Sequence, residues 1–126
     1  MKFTYTGVEM KDMDASVRFY TEAFGMELLD RHPIPATSGE VAGLRSKGGD
    51  QILELNWYPR SKSKYKAGSE LDHLAFECKD VRKDMDRLAK MGAKVTRPIE
   101  VRPKYIVGFV SEPVNGIWIE LYEVRT

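Results

Sequence analysis

The chain has little cysteine, little histidine, almost no net charge and no long apolar run, and each shortage removes a class of function. One cysteine, Cys78, in 126 residues rules out an intrachain disulfide framework. In LDHLAFEC it follows Phe76 at strand spacing on what should be an apolar face, the setting of a buried, inert thiol. A formal net charge of +1 gives no field to attract nucleic acid or an anionic membrane surface. No apolar stretch approaches the roughly 20 residues needed to span a bilayer. The opening MKFTYTGVEM lacks the apolar core of a signal peptide, so a cytoplasmic protein is expected. With 42% apolar and 31% charged residues the chain has ordinary globular composition, enough for one domain or two small halves sharing a core.

What is present is one pattern written twice. Setting Lys11-Asp12 against Lys79-Asp80 gives an offset of 68, which places Tyr5 on His73. Farther along, ILEL at 52–55 matches WIEL at 118–121 with an offset of 66, so Glu54 falls on Glu120. Each half thus carries one candidate ligand on its first strand and one on its last. Internal repetition marks a unit that cannot bury its own apolar face alone.

The local patterns predict the same order of elements in both halves. A strand over about 3–10 precedes a helix over about 14–24, with Asp14 as N-cap, a stripe of Val17, Tyr20, Ala23 and Phe24, and Gly25 as the left-handed stop. Extended segments follow at about 26–31, 41–46 and 51–58, the Pro-Ile-Pro stretch forming a loop. In the second half LDHLAFEC is the strand. Asp80 or Asp84 caps a helix carrying Val81, Met85, Leu88 and Met91, and Gly92 ends it; strands follow near 93–97, 105–111 and 117–124. Between the halves, residues 60–69 (RSKSKYKAGS) read as a solvated linker or a basic lid.

Strand alternation converts the repeat into geometry. Leu53, Leu55 and Trp57, and Ile117, Ile119 and Leu121, form the apolar sets that pack on the helices. The opposite faces carry Tyr5, Glu9, Glu54, Asn56, His73, Glu77, Trp118, Glu120 and Tyr122, too polar for a core and too aromatic for plain surface. Taken singly, each Glu could be an exposed residue and the His a satisfied hydrogen-bonding group. Carboxylates and a neutral imidazole at matched positions of two repeats instead suit a divalent first-row metal, which removes the cost of burying the charges.

KDMDASVRFYTEAFGMELL, ILELNWY, LDHLAFEC and SEPVNGIWIELYE together resemble the vicinal oxygen chelate superfamily, which includes glyoxalase I, bleomycin-binding proteins and extradiol dioxygenases. The resemblance covers residues 3 to 124. It implies an α+β fold: two tandem βαβββ modules (about 3–58 and 71–124, linker about 59–70) forming a cupped mixed-sheet cleft with a helix on the outer face of each. By motif, three of the four metal ligands of glyoxalase I fall on Glu54, His73 and Glu120, and the remaining one falls on Tyr5, where the family has His. One divalent metal ion per site (Ni, Zn, Mn or Fe), a small-molecule substrate and a homodimer are implied, with Glu120 and Glu54 as catalytic carboxylates and Glu9, Asn56, Trp118 and Tyr122 against the substrate. No nucleic acid and no membrane partner are expected.

Two departures shape the functional reading. A phenol has an ordinary pKa near 10, so Tyr5 is a direct ligand, a hydrogen-bond donor beside the metal, or a space filler marking a lost site. Glu9 stands where glyoxalase I often has an Arg for the glutathione carboxylates. The resemblance therefore implies a glyoxalase-like lyase or isomerase, with a metal-free small-molecule binding protein walled by Trp57, Trp118, Tyr5, Tyr105 and Tyr122 as the alternative. A ring-cleaving dioxygenase ranks lower, because it needs two His and a carboxylate on iron and His32 lies in DRHPIP, read as a solvated loop. Arg45, Arg97 and Arg102 could hold an anion or serve only solubility.

Overall fold

The computed structural model describes residues 2–62 and 71–126, and the chain divides into two compact units, Met1–Tyr65 and Lys66–Thr126. Most of the segment read as linker or lid lies outside the described residues. In the first unit β1 (Tyr5–Glu9) leads through α1 (Met13–Phe24) to β2 (Glu27–Ile34), β3 (Gly39–Arg45) and β4 (Ile52–Trp57). Their sheet order is β1-β4-β3-β2, parallel between β1 and β4 and antiparallel elsewhere. The second unit repeats this with β5 (Leu74–Glu77), α2 (Val81–Lys90), β6 (Lys94–Val101), β7 (Tyr105–Ser111) and β8 (Trp118–Val124), ordered β5-β8-β7-β6. These are the two βαβββ modules of an α+β fold.

The duplication extends to individual backbone bonds. Met10 N donates to the Asn56 carbonyl at 2.7 Å, and Cys78 N donates to the Tyr122 carbonyl at 2.9 Å. Gly7 pairs with Glu54 as Ala75 pairs with Glu120. Both helices open on an aspartate whose carboxylate accepts a backbone N–H at 3.0 Å, Asp12 from Ala15 and Asp80 from Lys83.

That capping corrects the expected start of α1. Asp12, not Asp14, is the N-cap, because Met13 begins the buried stripe and Asp12 retains the extended backbone a cap requires. Asp14 instead meets Arg31 of β2 at 2.7 Å. The buried face is rotated accordingly: Met13, Ser16, Phe19, Tyr20 and Ala23 are covered, while Val17 and Phe24 are half-buried. In α2 the expected Val81, Met85 and Leu88 are buried, and Met91 is half-buried at the C-cap.

The helices lie on the apolar sheet faces. Ala42, Leu44, Leu53 and Leu55 are buried in the first unit, and Val110, Ile119 and Leu121 in the second. Each such large aliphatic side chain contributes about 1.5–3 kcal/mol when fully buried. Gly108 in β7 gives α2 this close approach, since a Cβ there would collide with Met85 Sδ and press on Val81. β2 and β6 are the outer strands, where Pro33 and Pro98 cost no ladder bond. β2 therefore runs on through Pro33 to Ile34, and the expected Pro-Ile-Pro loop is shorter than the sequence suggested.

Cys78 is half-buried, and burial, followed by Asp84, pushes its thiol up to about 11. A thiol so protonated at neutral pH is a packing group and not a nucleophile.

Candidate functional site

Pairing register fixes what shares the helix-free face of each sheet. In the first unit a row runs across the strands from Gly7 to Glu54, Gly43 and Asp30. Both sheet neighbours of Glu54 are therefore glycines. A Cβ at Gly7 would lie 3.2 Å from Asn56 Nδ2 and 3.8 Å from Glu54 Oε1. At Gly43 it would lie 2.7 Å from Asp30 Oδ1, so the Asp30 carboxylate occupies the space that a side chain on β3 would fill. Tyr5, Asp30, His32, Gly43, Glu54 and Asn56 line a depression of about 280 Å³ on this face. Glu9 is half-buried opposite Asn56.

Two expectations in this unit need correction. His32 lies on β2, not in a loop, and in phase with Val41 and Asn56; its Nδ1 is 3.2 Å from Asp30 Oδ2, and the ring is 59% exposed. Trp57 shares the parity of Leu53 and Leu55, so it is no wall of the face that bears Glu54. It lines a separate depression with Asp12, Arg31 and Glu40.

In the second unit the equivalent row is Ala75, Glu120, Phe109 and Arg97. His73 sits one residue before β5 rather than inside a strand. Its Nε2 lies 2.8 Å from Glu120 Oε2, and its Nδ1 lies 2.6 Å from Asp72 Oδ1. A carboxylate on Nδ1 orients the ring, the usual support for a metal-binding imidazole; with the proton on Nδ1, the Nε2 lone pair would be available to a metal. His73 meets the edge of Phe109 at 5.5 Å between ring centres, and Phe109 leans on Trp118 at 6.4 Å. Tyr122 packs edge-on to Tyr105 at 5.9 Å, and its hydroxyl reaches loosely to Glu77 at 3.5 Å. Burial, then Glu77, raises the Tyr122 pKa.

The structure thus joins His73 to Glu120 and sets Tyr5 beside Glu54 on a common face. Asp30, Asp72 and Phe109 are additional neighbours that the sequence reading did not single out. Phe109 shares the face of Val107 along β7, two residues away, and was findable; Asp30 depends on a register irregularity that no periodicity signals.

The chemistry of the donor set suits a divalent cation: carboxylate oxygens and an imidazole nitrogen whose partner nitrogen is already held by Asp72. Among the described residues no group of three or more His, Cys, Asp or Glu side chains is gathered closely enough to hold a metal ion.

A βαβββ unit written twice, with a glutamate in the same place on the last strand of each, defines a chelate-type fold, and the chain belongs to the Glyoxalase/Bleomycin resistance protein/Dioxygenase superfamily, whose sequence model matches residues 2–121. It is 29% identical over 133 residues to the lactoylglutathione lyase of Salmonella typhimurium, covering 99% of this chain and 94% of that one. To lactoylglutathione lyase GLX1 of Arabidopsis thaliana it is 30% identical over 127 residues, 97% of this chain, but it spans only 44% of that longer relative. Glyoxalase I from Zea mays superposes with a TM-score of 0.80 at 27% identity, over 96% of this chain and 44% of that one. No helix among the described residues is long and apolar enough to cross a membrane.

Proposed function

We propose that this protein is a glyoxalase-like, metal-dependent lyase or isomerase that moves a proton between carbons of a small oxygen-chelating substrate. The observation that carries this reading is the His73–Glu120 pair at 2.8 Å, with Asp72 behind the imidazole, repeated in part by Glu54 at the matched position of the other unit. Glu54, His73 and Glu120 would hold one divalent ion (Ni, Zn, Mn or Fe), with Tyr5 offering its phenol oxygen at the fourth position. When bound, such an ion stabilises the negative charge that develops beside a substrate oxygen as a neighbouring C–H is deprotonated.

The chain's own groups supply the rest. Glu120 is the base, and its neighbour His73 holds the carboxylate in place; Glu54 is the second carboxylate able to return the proton. Phe109 and Trp118 cover the Glu120 side and exclude water. Asn56, Tyr122 and Glu9 are the polar contacts for the substrate. The names of the relatives support a lactoyl thioester product, and Glu9 is the residue of the first unit least suited to the carboxylates of glutathione. A cytoplasmic homodimer completes the proposal.

The test is elemental analysis of the purified protein and titration with nickel, manganese, iron and zinc, followed by assay of each loaded form on hemithioacetals. Tight metal, bound more weakly by Glu54→Gln and Glu120→Gln, is the expected result. No tight metal in either the wild type or Tyr5→His would leave a metal-free binding protein instead.

A further inference from the structure

Three arginines stood out in the sequence as candidates for an anion contact, and the structure separates them. Arg45 faces Glu27 at 4.0 Å and Arg102 is paired with Glu100 at 3.0 Å. Arg97 has no carboxylate within salt-bridge distance among the described residues; Glu100, bridged to Arg102, feels its charge only at longer range. Its guanidinium instead stacks on the Phe109 ring, 5.7 Å from the ring centre. Arg97, Glu100, Val107 and Phe109 line a depression of about 280 Å³.

Its orientation is the work of a bulge. Val95 pairs with Val110, and the next pairing is Arg97 with Phe109, leaving Thr96 as an extra residue in β6. Thr96 Oγ1 is buried there without a hydrogen-bond partner among the described residues. Without the extra residue, strand alternation would turn Arg97 toward the α2 side; with it, Arg97 joins the row that contains Phe109 and Glu120. The first unit has the same irregularity between Leu28 and Asp30, and there the end of the row is Asp30, of opposite charge.

We infer that Arg97 is a specificity-determining contact for a carboxylate on the substrate, placed two strands from Glu120 and so roughly 10 Å from it. This rests on the reading of Glu120 as the reacting carboxylate. A guanidinium not tied up in a salt bridge offers a planar two-pronged donor that matches a carboxylate, and stacking on Phe109 holds it in place. The substrate would therefore be extended, with its charged end remote from the carbon that loses the proton.

The test follows the Trp118 indole resonance, assigned with Trp118→Phe, as the full-length protein is titrated with lactoylglutathione, which bears carboxylates, and with lactoyl-cysteamine, which bears none. Succinate and inorganic phosphate serve as simple anion probes. In Arg97→Gln, binding of lactoylglutathione should weaken about ten-fold or more, the scale of a lost charge-assisted hydrogen bond. Lactoyl-cysteamine should be unaffected, Arg97→Lys should restore part of the loss, and Arg82→Gln on α2 should match the wild type. Equal affinity in wild type and Arg97→Gln, an equal loss for both thioesters, or no shift of Trp118 by any carboxylate would overturn the assignment. A phosphate response without a succinate response would overturn the carboxylate as well. Anion binding that depends on Arg97 in a protein devoid of isomerase activity would refute only the proposed reaction.

Discussion

Glu120 Oε2 lies 2.8 Å from His73 Nε2, while the same ring's Nδ1 lies 2.6 Å from Asp72 Oδ1, so one imidazole is held between two carboxylates of different exposure. Asp72 is 86% exposed at its side chain and Glu120 is 21% exposed. The sheltered carboxylate is the one suited to move a proton, and the exposed one to orient the ring. Asp72→Asn should accordingly leave the fold intact and lower metal affinity about 10- to 100-fold, as loss of an orienting partner does. Isothermal titration with nickel and zinc measures this. Unchanged affinity would show that Asp72 has no orienting role.

Glu120→Gln keeps the size of the side chain and removes the proposed base. Turnover of the metal-loaded protein should fall by about 10²–10⁴-fold, the range of positioned acid–base catalysis. Rate measurements on protein of verified metal content decide the point, and near-wild-type turnover would transfer the role of base to Glu54.

Gly108→Ala tests the closest approach in the core. A methyl group there collides with Met85 Sδ and crowds Val81, on the face that α2 covers. Overpacking of this kind costs about 1–3 kcal/mol, read as a lower urea midpoint. Met85→Ala in the same background should recover part of the midpoint by making room for the methyl group.

Asp12→Ala and Asp80→Ala each remove a helix cap and should each cost about 1 kcal/mol. Asp14→Ala removes only the surface pair with Arg31, for which about 0–1 kcal/mol is expected. Thermal denaturation of the three variants ranks them. If Asp14→Ala proved the most damaging, the helix would start where the sequence alone placed it.

The Cys78 thiol gives a pH signature. Its pKa is pushed up to about 11 in the folded protein, mainly by burial. The folded state therefore retains the proton to a higher pH than the unfolded chain. Stability is unaffected below the ordinary thiol range and falls as pH rises through that range toward about 11. Denaturant midpoints in alkaline buffers should drop more steeply for the wild type than for Cys78→Ser. Alkylation by iodoacetamide should also be slow at pH 8 and accelerate toward pH 11.

The repeat, the order of elements and the residues on the helix-free faces were legible in the sequence because strand alternation and helix periodicity are local properties. Leu53 and Leu55 are buried while Ile52, Glu54 and Asn56 turn the other way, as period two requires. The pairing of Glu54 with Glu120 followed from spacing alone and reappears in the register as Gly7 with Glu54 and Ala75 with Glu120. The start of α1 was misplaced because two aspartates, Asp12 and Asp14, offer the same capping chemistry, and only packing of Met13 chooses between them.

By itself the sequence determined that this is a duplicated βαβββ protein with Tyr5, Glu54, His73 and Glu120 at matched positions. Tertiary structure alone decided what surrounds them. Bulges at Leu29 and Thr96 turn Asp30 and Arg97 onto the helix-free faces, a glycine at 43 leaves room for a carboxylate, and Phe109 seats both His73 and Arg97. A bulge reverses the facing of the residues after it until a further irregularity, such as that between Arg97 and Glu100, so the parity that makes strands legible fails at the two places where charge is turned onto these faces.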